Sequence, residues 1–269
     1  ITVQVDASAE YETVPEFVDG AVYRSLEDAV AAANAVESLT SKDTIELVSN
    51  ITLTDDVTVP CNIIVPAEKE ITIDLNKQVL DMGAKKITNN GTLTVTSDTT
   101  DGKIEGTAGQ MITNKGLLTL ENGSIITTGF GAINLSTVDS KFVMNGGYLE
   151  GIAAIQASRG AITVNQGTVQ SNYEYRNSSR GAIVASSANV VITIGEEEAT
   201  DDTVLIDGGK AYGLIFKSDE NITINCGTIS SVSGTFGKNP VEKWNCRFKE
   251  DISSTLPAGF FCKQVPEAD

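Results

Sequence analysis

The ten residues GLLTLENGSI, Gly116 to Ile125, contain the pattern that decides the fold. Leu118, Thr119 and Leu120 alternate apolar, polar and apolar, a period of two that buries one face of a β-strand and leaves the other outside. Gly123 then marks a corner that needs a positive φ, and a second apolar stretch begins directly after it. The segment therefore predicts two short strands joined at a corner.

The first half of this pattern occurs seven times along the chain. The seven phrases are Ile71-Thr72-Ile73, Leu93-Thr94-Val95, Leu118-Thr119-Leu120, Phe142-Val143-Met144, Ile162-Thr163-Val164, Ile192-Thr193-Ile194 and Ile222-Thr223-Ile224. Their last residues lie 22, 25, 24, 20, 30 and 30 positions apart, roughly 25 per repeat, which is typical of a solenoid. One repeat therefore predicts one coil.

Two further recurrences divide each coil into three strands. A glycine opens the second strand in Gly123-Ser124-Ile125, Gly147-Tyr148-Leu149, Gly167-Thr168-Val169 and Gly227-Thr228-Ile229, and the third strand is Gly131-Ala132-Ile133, Ala153-Ala154-Ile155, Gly181-Ala182-Ile183 or Gly213-Leu214-Ile215. Parallel crossovers favour a right-handed coil. We therefore predict an all-β fold, a single right-handed parallel β-helix of about eight rungs over residues 41–230.

Both ends of a solenoid need a cover for the exposed core. In residues 1–40, Ser25 is a good N-cap, and Leu26, Ala29, Val30 and Ala33 form an apolar stripe at helical spacing, so we predict a capping helix from about Leu26 to Val36. After about Ser231 the repeat fails and large residues follow. We predict an irregular C-terminal cap over residues 231–269, built from Phe236, Trp244, Phe248, Phe260 and Phe261.

Composition excludes several classes of function. The 269 residues contain 36 acidic and 19 basic side chains, a net charge of -17, which disfavours nucleic acid and anionic membranes as partners. The chain contains 0 His, so His-based catalysis and His-ligated metal centres are excluded. No stretch is long and apolar enough for a membrane span, so we expect no membrane insertion.

The cysteines predict no metal site, because their spacing differs from metal-binding patterns. We expect Cys61 and Cys226 to be small buried residues, whereas Cys246 and Cys262 form either one disulfide or two thiols, depending on the compartment. Because the chain begins at Ile1 rather than Met, we expect a processed product without its signal segment.

The coil phrase of Gly116 to Ile125 and the amphipathic helix before the first coil resemble the pectate-lyase-like, right-handed parallel β-helix superfamily, and within it the adhesin-like secreted or wall-attached proteins of bacteria. The Gly234 to Phe236 phrase followed by Pro240 is similar to the end of the repeat region in such surface proteins. The resemblance implies an extracellular, bacterial protein. It does not specify a function, since the fold hosts lyases, hydrolases, esterases and binding proteins.

No catalytic set of the fold is complete in this sequence. Asp55-Asp56 and Asp201-Asp202 match one element of the hydrolase pattern, whose His is absent. Arg159 and Arg180 both precede Gly-Ala-Ile, which we interpret as one repeated corner position rather than catalysis. We predict no catalytic residues, with a polysaccharide lyase or glycoside hydrolase that uses carboxylate, Lys or Arg chemistry as the alternative.

The acidic runs do not match a metal-binding pattern, so we predict no metal ion and no cofactor. Asp98 with Asp101, and Glu196 to Asp202, lack the regular spacing of a calcium-binding loop. We interpret both runs as solvated turns that keep the protein soluble.

An insertion from Ser171 to Arg180 is the candidate binding site. It contains Tyr173, Tyr175, Arg176 and Arg180, and aromatic faces stack on sugars while Arg binds carboxylate or hydroxyl pairs. The alternative is that the tyrosines pack on the side of the β-helix. The next coil carries the acidic insertion Glu196 to Asp202, and both insertions would line one cleft only if they emerge at the same corner.

These observations predict a non-enzymatic, secreted or cell-surface, adhesin-like protein. We expect a monomer that binds a polysaccharide or a host or matrix protein along a lateral face, where inserted loops gather.

Overall fold

A computed structural model of the chain forms three parallel β-sheets and one α-helix within its described residues. These residues are 1–10, 16–175, 179–197, 203–218, 220–230, 232–234 and 245–248. Each coil passes through sheet A, sheet B and sheet C in turn, and each strand pairs in parallel with its equivalent in the next coil. The predicted all-β parallel β-helix is therefore confirmed.

Each sheet is a stack of strands from successive coils. In spatial order, sheet A contains β2 (Val22–Tyr23), β1 (Thr2–Val5), β3 (Thr44–Leu47), β6 (Asn62–Val65), β9 (Ile87–Asn89), β12 (Gln110–Asn114), β15 (Gly131–Leu135), β18 (Ile155–Ala157), β21 (Gly181–Ala185), β24 (Tyr212–Ile215) and β27 (Val232–Ser233). Sheet B contains β4 (Ile51–Thr52), β7 (Glu70–Asp74), β10 (Thr92–Thr96), β13 (Leu117–Leu120), β16 (Lys141–Met144), β19 (Gly160–Val164), β22 (Val190–Ile194) and β25 (Ile222–Ile224). Sheet C contains β5 (Val57–Thr58), β8 (Val79–Asp81), β11 (Lys103–Gly106), β14 (Ser124–Thr127), β17 (Tyr148–Gly151), β20 (Gly167–Ser171), β23 (Val204–Asp207), β26 (Cys226–Ile229) and β28 (Asn245–Phe248).

All seven sequence phrases lie in sheet B and stack in register. Thr94, for example, pairs with Thr72 on one side and Thr119 on the other. Leu118 and Leu120 are 0% exposed, whereas Thr119 between them is partly exposed. The alternation of the phrases therefore correctly predicts which side chains form the core.

The four corner glycines also have the predicted conformation. The φ angles of Gly123, Gly147, Gly167 and Gly227 are 96°, 83°, 98° and 111°, in the region that other residues rarely adopt. A Cβ atom at Gly147 would also collide with the carbonyl oxygen of Gly123 in the preceding coil. Close stacking of successive corners therefore requires glycine as well as positive φ.

The described strands confirm the predicted number of coils. From Thr44 to Ile229 the chain passes eight times through the series of sheet A, sheet B and sheet C. The right-handed sense of the coil stays a prediction of the crossover rule.

The N-terminal segment contains the predicted helix and two short strands, β1 and β2, that were not predicted. Helix α1 spans Leu26–Asn34 and ends before Val36, and the Ser25 hydroxyl accepts the Asp28 N–H at 3.1 Å. Strand β1 lies between β2 and β3 in sheet A, with Val3 and Val5 buried. Sheet A thus extends into residues 1–40.

Parallel pairing continues beyond the predicted end of the repeats. Strand β27 adds to sheet A, and β28, which contains Cys246 and Phe248, pairs with β26 in sheet C. The other residues on which the C-terminal predictions depend lie outside the described residues: Phe236, Pro240, Trp244, Phe260, Phe261 and Cys262. Cys61 and Cys226 are buried, as predicted.

Two asparagines form a hydrogen-bonded pair inside the apolar core, at the end of sheet A strands. Asn89 and Asn114 are 0% exposed, and the Asn89 amide nitrogen donates to Asn114 Oδ1 and to the Leu117 carbonyl, both at 2.8 Å. Asn114 donates in the same way to the Lys141 carbonyl at 2.8 Å. The Asn89 Oδ1 atom, beside Val65 of the preceding coil, has no hydrogen-bond partner.

Candidate functional site

The predicted binding residues Tyr173, Tyr175 and Arg180 lie in the loop between β20 and β21. This loop occupies the corner where the chain passes from sheet C to sheet A, which we call the CA edge. Arg176, the fourth predicted residue, lies outside the described residues.

The base of the loop is fixed to the two preceding coils. Ser171 is buried, and its hydroxyl donates to the Ile152 carbonyl at 2.9 Å. The Asn172 amide nitrogen donates to the Thr127 carbonyl at 3.1 Å and to Glu150 Oε1 at 3.2 Å. These bonds hold the start of the loop in one position on the CA edge.

Three of the predicted residues form one patch with Phe130, which comes from the CA edge two coils earlier. The rings of Tyr173 and Tyr175 meet edge to face, with centroids 5.9 Å apart and planes at 73°. The Arg180 guanidinium carbon lies 4.2 Å from the Phe130 ring centroid and 6.0 Å from that of Tyr173. We call Phe130, Tyr173, Tyr175 and Arg180 the aromatic patch.

The aromatic patch is partly packed and partly open to solvent. Tyr173 is half-buried, whereas Tyr175 is 68% exposed. Nearby, Ala153, Val184 and Ile215 form a small buried cluster outside the main core, with Phe130 packed against it. The Tyr175 ring therefore does not pack flat on the β-helix, as the structural alternative required.

Charge in the aromatic patch comes from Arg180. Its Nη1 atom donates to the Ser179 carbonyl at 3.1 Å, and neither salt bridge between described residues involves it. The guanidinium face is attracted to the aromatic rings beneath it. Its remaining N–H groups suit oxygen atoms of a ligand.

The acidic insertion emerges at a different corner. It connects β22 of sheet B to β23 of sheet C, so sheet C separates it from the CA edge. Glu196 and Glu197 are exposed there, and 198–202 lie outside the described residues. The shared corner that a single cleft required is therefore not what the flanking strands show.

The interpretation of Arg159 and Arg180 as one repeated corner position is wrong. Gly160 begins β19 in sheet B, whereas Gly181 begins β21 in sheet A. The Gly-Ala-Ile phrase starts strands of both sheets, so identical sequences follow different corners. Arg159 is exposed and precedes sheet B, while Arg180 belongs to the aromatic patch.

Carboxylates that the enzymatic alternative could use lie along sheet C. Asp81 and Glu105 are register neighbours in a shallow cleft of about 180 Å³, and Glu105 pairs with Lys103 at 2.7 Å. Asp56 accepts the Val79 N–H at 2.8 Å, which gives it a structural role. Among the described residues, no group of three or more acidic or Cys side chains could hold a metal ion.

No family model matches the sequence, and neither the curated proteins nor the solved structures contain a significant match. Within the described ranges, no helix has the length and apolar composition that crossing a bilayer requires.

Proposed function

We propose that this protein is a non-enzymatic, adhesin-like β-helix protein, secreted or attached to a bacterial surface, that binds a glycan at its CA edge. The aromatic patch is the observation that carries the proposal. The parallel β-helix fold also supports membership of the pectate-lyase-like superfamily. The net charge of -17 suits a soluble extracellular protein and disfavours nucleic acid or anionic lipid as the ligand.

A glycan fits the chemistry of the patch better than a protein loop. Tyr173 and Tyr175 present rings at a steep angle, so a sugar can stack its C–H face on one ring while touching the edge of the other. The Arg180 guanidinium provides hydrogen-bond donors beside them. Exposed aromatic area that a ligand would cover also favours binding.

A glycan array tests the proposal. The native protein should bind at least one oligosaccharide on the array, and the Tyr173→Ala/Tyr175→Ala variant should lose that binding while it keeps its melting temperature. Arg180→Lys should weaken binding, because Lys lacks the planar fork and stacks poorly. Binding that persists in the double variant would exclude the patch, and binding to matrix proteins alone would make the ligand a protein.

The rival function is polysaccharide cleavage in the shallow cleft of sheet C. Asp81 and Glu105 supply carboxylates there, and Lys103 forms an ion pair with Glu105. Incubation with acidic and neutral polysaccharides at several pH values, with and without Ca²⁺, distinguishes the two functions. We expect no product release; products that disappear with Glu105→Gln would establish the enzyme.

A further inference from the structure

The outer face of sheet C carries a group of polar side chains directly beside the aromatic patch. We call Tyr148, Glu150, Gln170 and Asn172 the polar row. Glu150 of β17 pairs in register with Gln170 of β20, and all four side chains are half-buried. The row therefore spans two successive coils and the start of the Tyr173 loop.

Glu150 is the centre of the polar row. The Tyr148 hydroxyl donates to Glu150 Oε2 and also lies 3.1 Å from Gln170 Oε1, while Asn172 donates to Glu150 Oε1 at 3.2 Å. Burial and the hydrogen bond to Glu150 raise the pKa of Tyr148, so the phenol remains a donor at alkaline as well as neutral pH. Each carboxylate oxygen is held by one donor and keeps a second lone pair for another.

The polar row and the aromatic patch meet along the CA edge. Asn172 directly precedes Tyr173, and its amide is bonded to the Thr127 carbonyl, three residues before Phe130. An oriented acceptor and an aromatic platform therefore lie side by side on the same coils. A pyranose ring presents the complementary pair, an apolar C–H face and hydroxyl donors around its rim.

We propose that the binding site extends from the aromatic patch onto the polar row and takes a neutral pyranose oligosaccharide. Ligand hydroxyls donate to Glu150, which determines specificity, and Tyr148 is the positioning residue that orients this carboxylate. The inference rests on the proposed glycan binding and names the class of glycan.

Local charge favours a neutral ligand over an acidic one. Asp207 follows Gln170 in register on the next coil, so Glu150 and Asp207 lie on the same outer face. An anionic sugar would meet Glu150, Asp207 and the exposed Glu174 of the loop as well as Arg180, within a protein whose net charge is -17. A neutral chain avoids this repulsion, and its affinity should change little with salt.

The test uses the full chain and a panel of neutral oligosaccharides of glucose, galactose, mannose or xylose, with sialylated and uronic acid oligosaccharides as anionic arms. For the strongest neutral probe, calorimetric titration of Glu150→Gln should show a Kd raised about tenfold to 100-fold, as loss of a charged acceptor implies. Tyr148→Phe should raise Kd about threefold to tenfold. Glu46→Gln, a half-buried outward carboxylate on β3 of sheet A, is the matched control and should leave Kd unchanged.

Deoxy versions of the neutral probe separate ligand contact from a structural effect. One deoxy sugar should bind the native protein about tenfold or more weakly than the parent sugar does. The Glu150→Gln variant should bind both sugars equally well, because the substitution and the missing hydroxyl remove the same hydrogen bond. Glycan binding that needs Tyr173 and Tyr175 but is unaffected by Glu150→Gln would overturn this inference alone. Preference for the anionic arms would overturn the neutral class, and no binding to any glycan would overturn the proposed function as well.

Discussion

The interior of sheet B and the loop on the CA edge follow opposite rules within one chain. In sheet B, Leu120 is 0% exposed and stacks between Val95 and Met144 of the neighbouring coils. These neighbours determine the size and the orientation of the side chain at this position. In the loop, Tyr175 is 68% exposed and no strand pairing fixes its position. The stacked coils therefore determine stability, whereas the side chains of the loop can change without loss of the core. Four predictions test this division.

The largest effect is expected for truncation in the stacked interior. Leu120→Ala should lower the free energy of unfolding by about 2 to 5 kcal/mol, because it removes buried methyl groups and leaves a cavity. Thr119→Ala, on the outward side of the same strand, should cost less than about 1 kcal/mol. Urea denaturation measures both, and equal losses would contradict the inward and outward assignment.

The next prediction concerns a polar residue in the interior. Val95→Asn and Val65→Asn both bury an amide in place of a valine that is 0% exposed. At position 65 the new amide lies beside the unpartnered Asn89 Oδ1 and can donate to it. Chemical denaturation should therefore show that Val65→Asn lowers the free energy of unfolding by about 1 to 3 kcal/mol less than Val95→Asn does. Identical costs would mean that the asparagine pair cannot be extended.

The third prediction concerns pH on the outer face of sheet C. Folding raises the pKa of Tyr148 through burial and its bond to Glu150. Above pH ~10 the unfolded chain therefore loses this proton before the folded one does, and stability falls as pH rises. Tyr148→Phe should show a smaller loss of stability between pH 9 and 11 (about the range in which an unperturbed tyrosine titrates). If Tyr148→Phe leaves the pH dependence unchanged, other titratable groups cause the loss of stability at alkaline pH.

The smallest effect on stability is expected in the loop. Tyr175→Ala should change the free energy of unfolding by less than about 0.5 kcal/mol, as is usual for exposed positions. Tyr23→Ala is the buried comparison, since Tyr23 is 0% exposed, and it should cost about 3 to 5 kcal/mol. If Tyr175→Ala were comparably destabilising, the loop would be part of the core, which would contradict the proposal that it is a binding surface.

Sequence periodicity was sufficient for the fold because each coil repeats the same physical requirement. The alternation around Thr94 and Thr119 and the positive φ at Gly123 and Gly147 follow from local rules that apply to every coil. Strand β1 was missed because Thr2–Val5 is a single short alternation without a corner glycine beside it.

The site was predictable only in part. Clustering of Tyr173, Tyr175 and Arg180 in one insertion pointed to the patch, but coil stacking adds Phe130 to it and brings Glu150 to Asn172 at the start of the loop. They are separated from the insertion by at least 20 residues, so only the register between coils brings them together. The phrase Gly-Ala-Ile carries no information about which sheet it begins, and this is why Arg159 and Arg180 were equated.

The asparagine pair has a consequence for how such a chain can grow. Duplication of the coil that contains Asn89 would insert a third asparagine next to it. Each side-chain amide oxygen of the row would then accept from the asparagine of the preceding coil, except the oxygen of the first asparagine. The unbonded oxygen at one end occurs once whatever the number of asparagines, whereas each added asparagine brings further hydrogen bonds. A longer internal ladder is thus more favourable per coil than a short one, so whole coils that are added next to Asn89 leave no further amide oxygen without a donor.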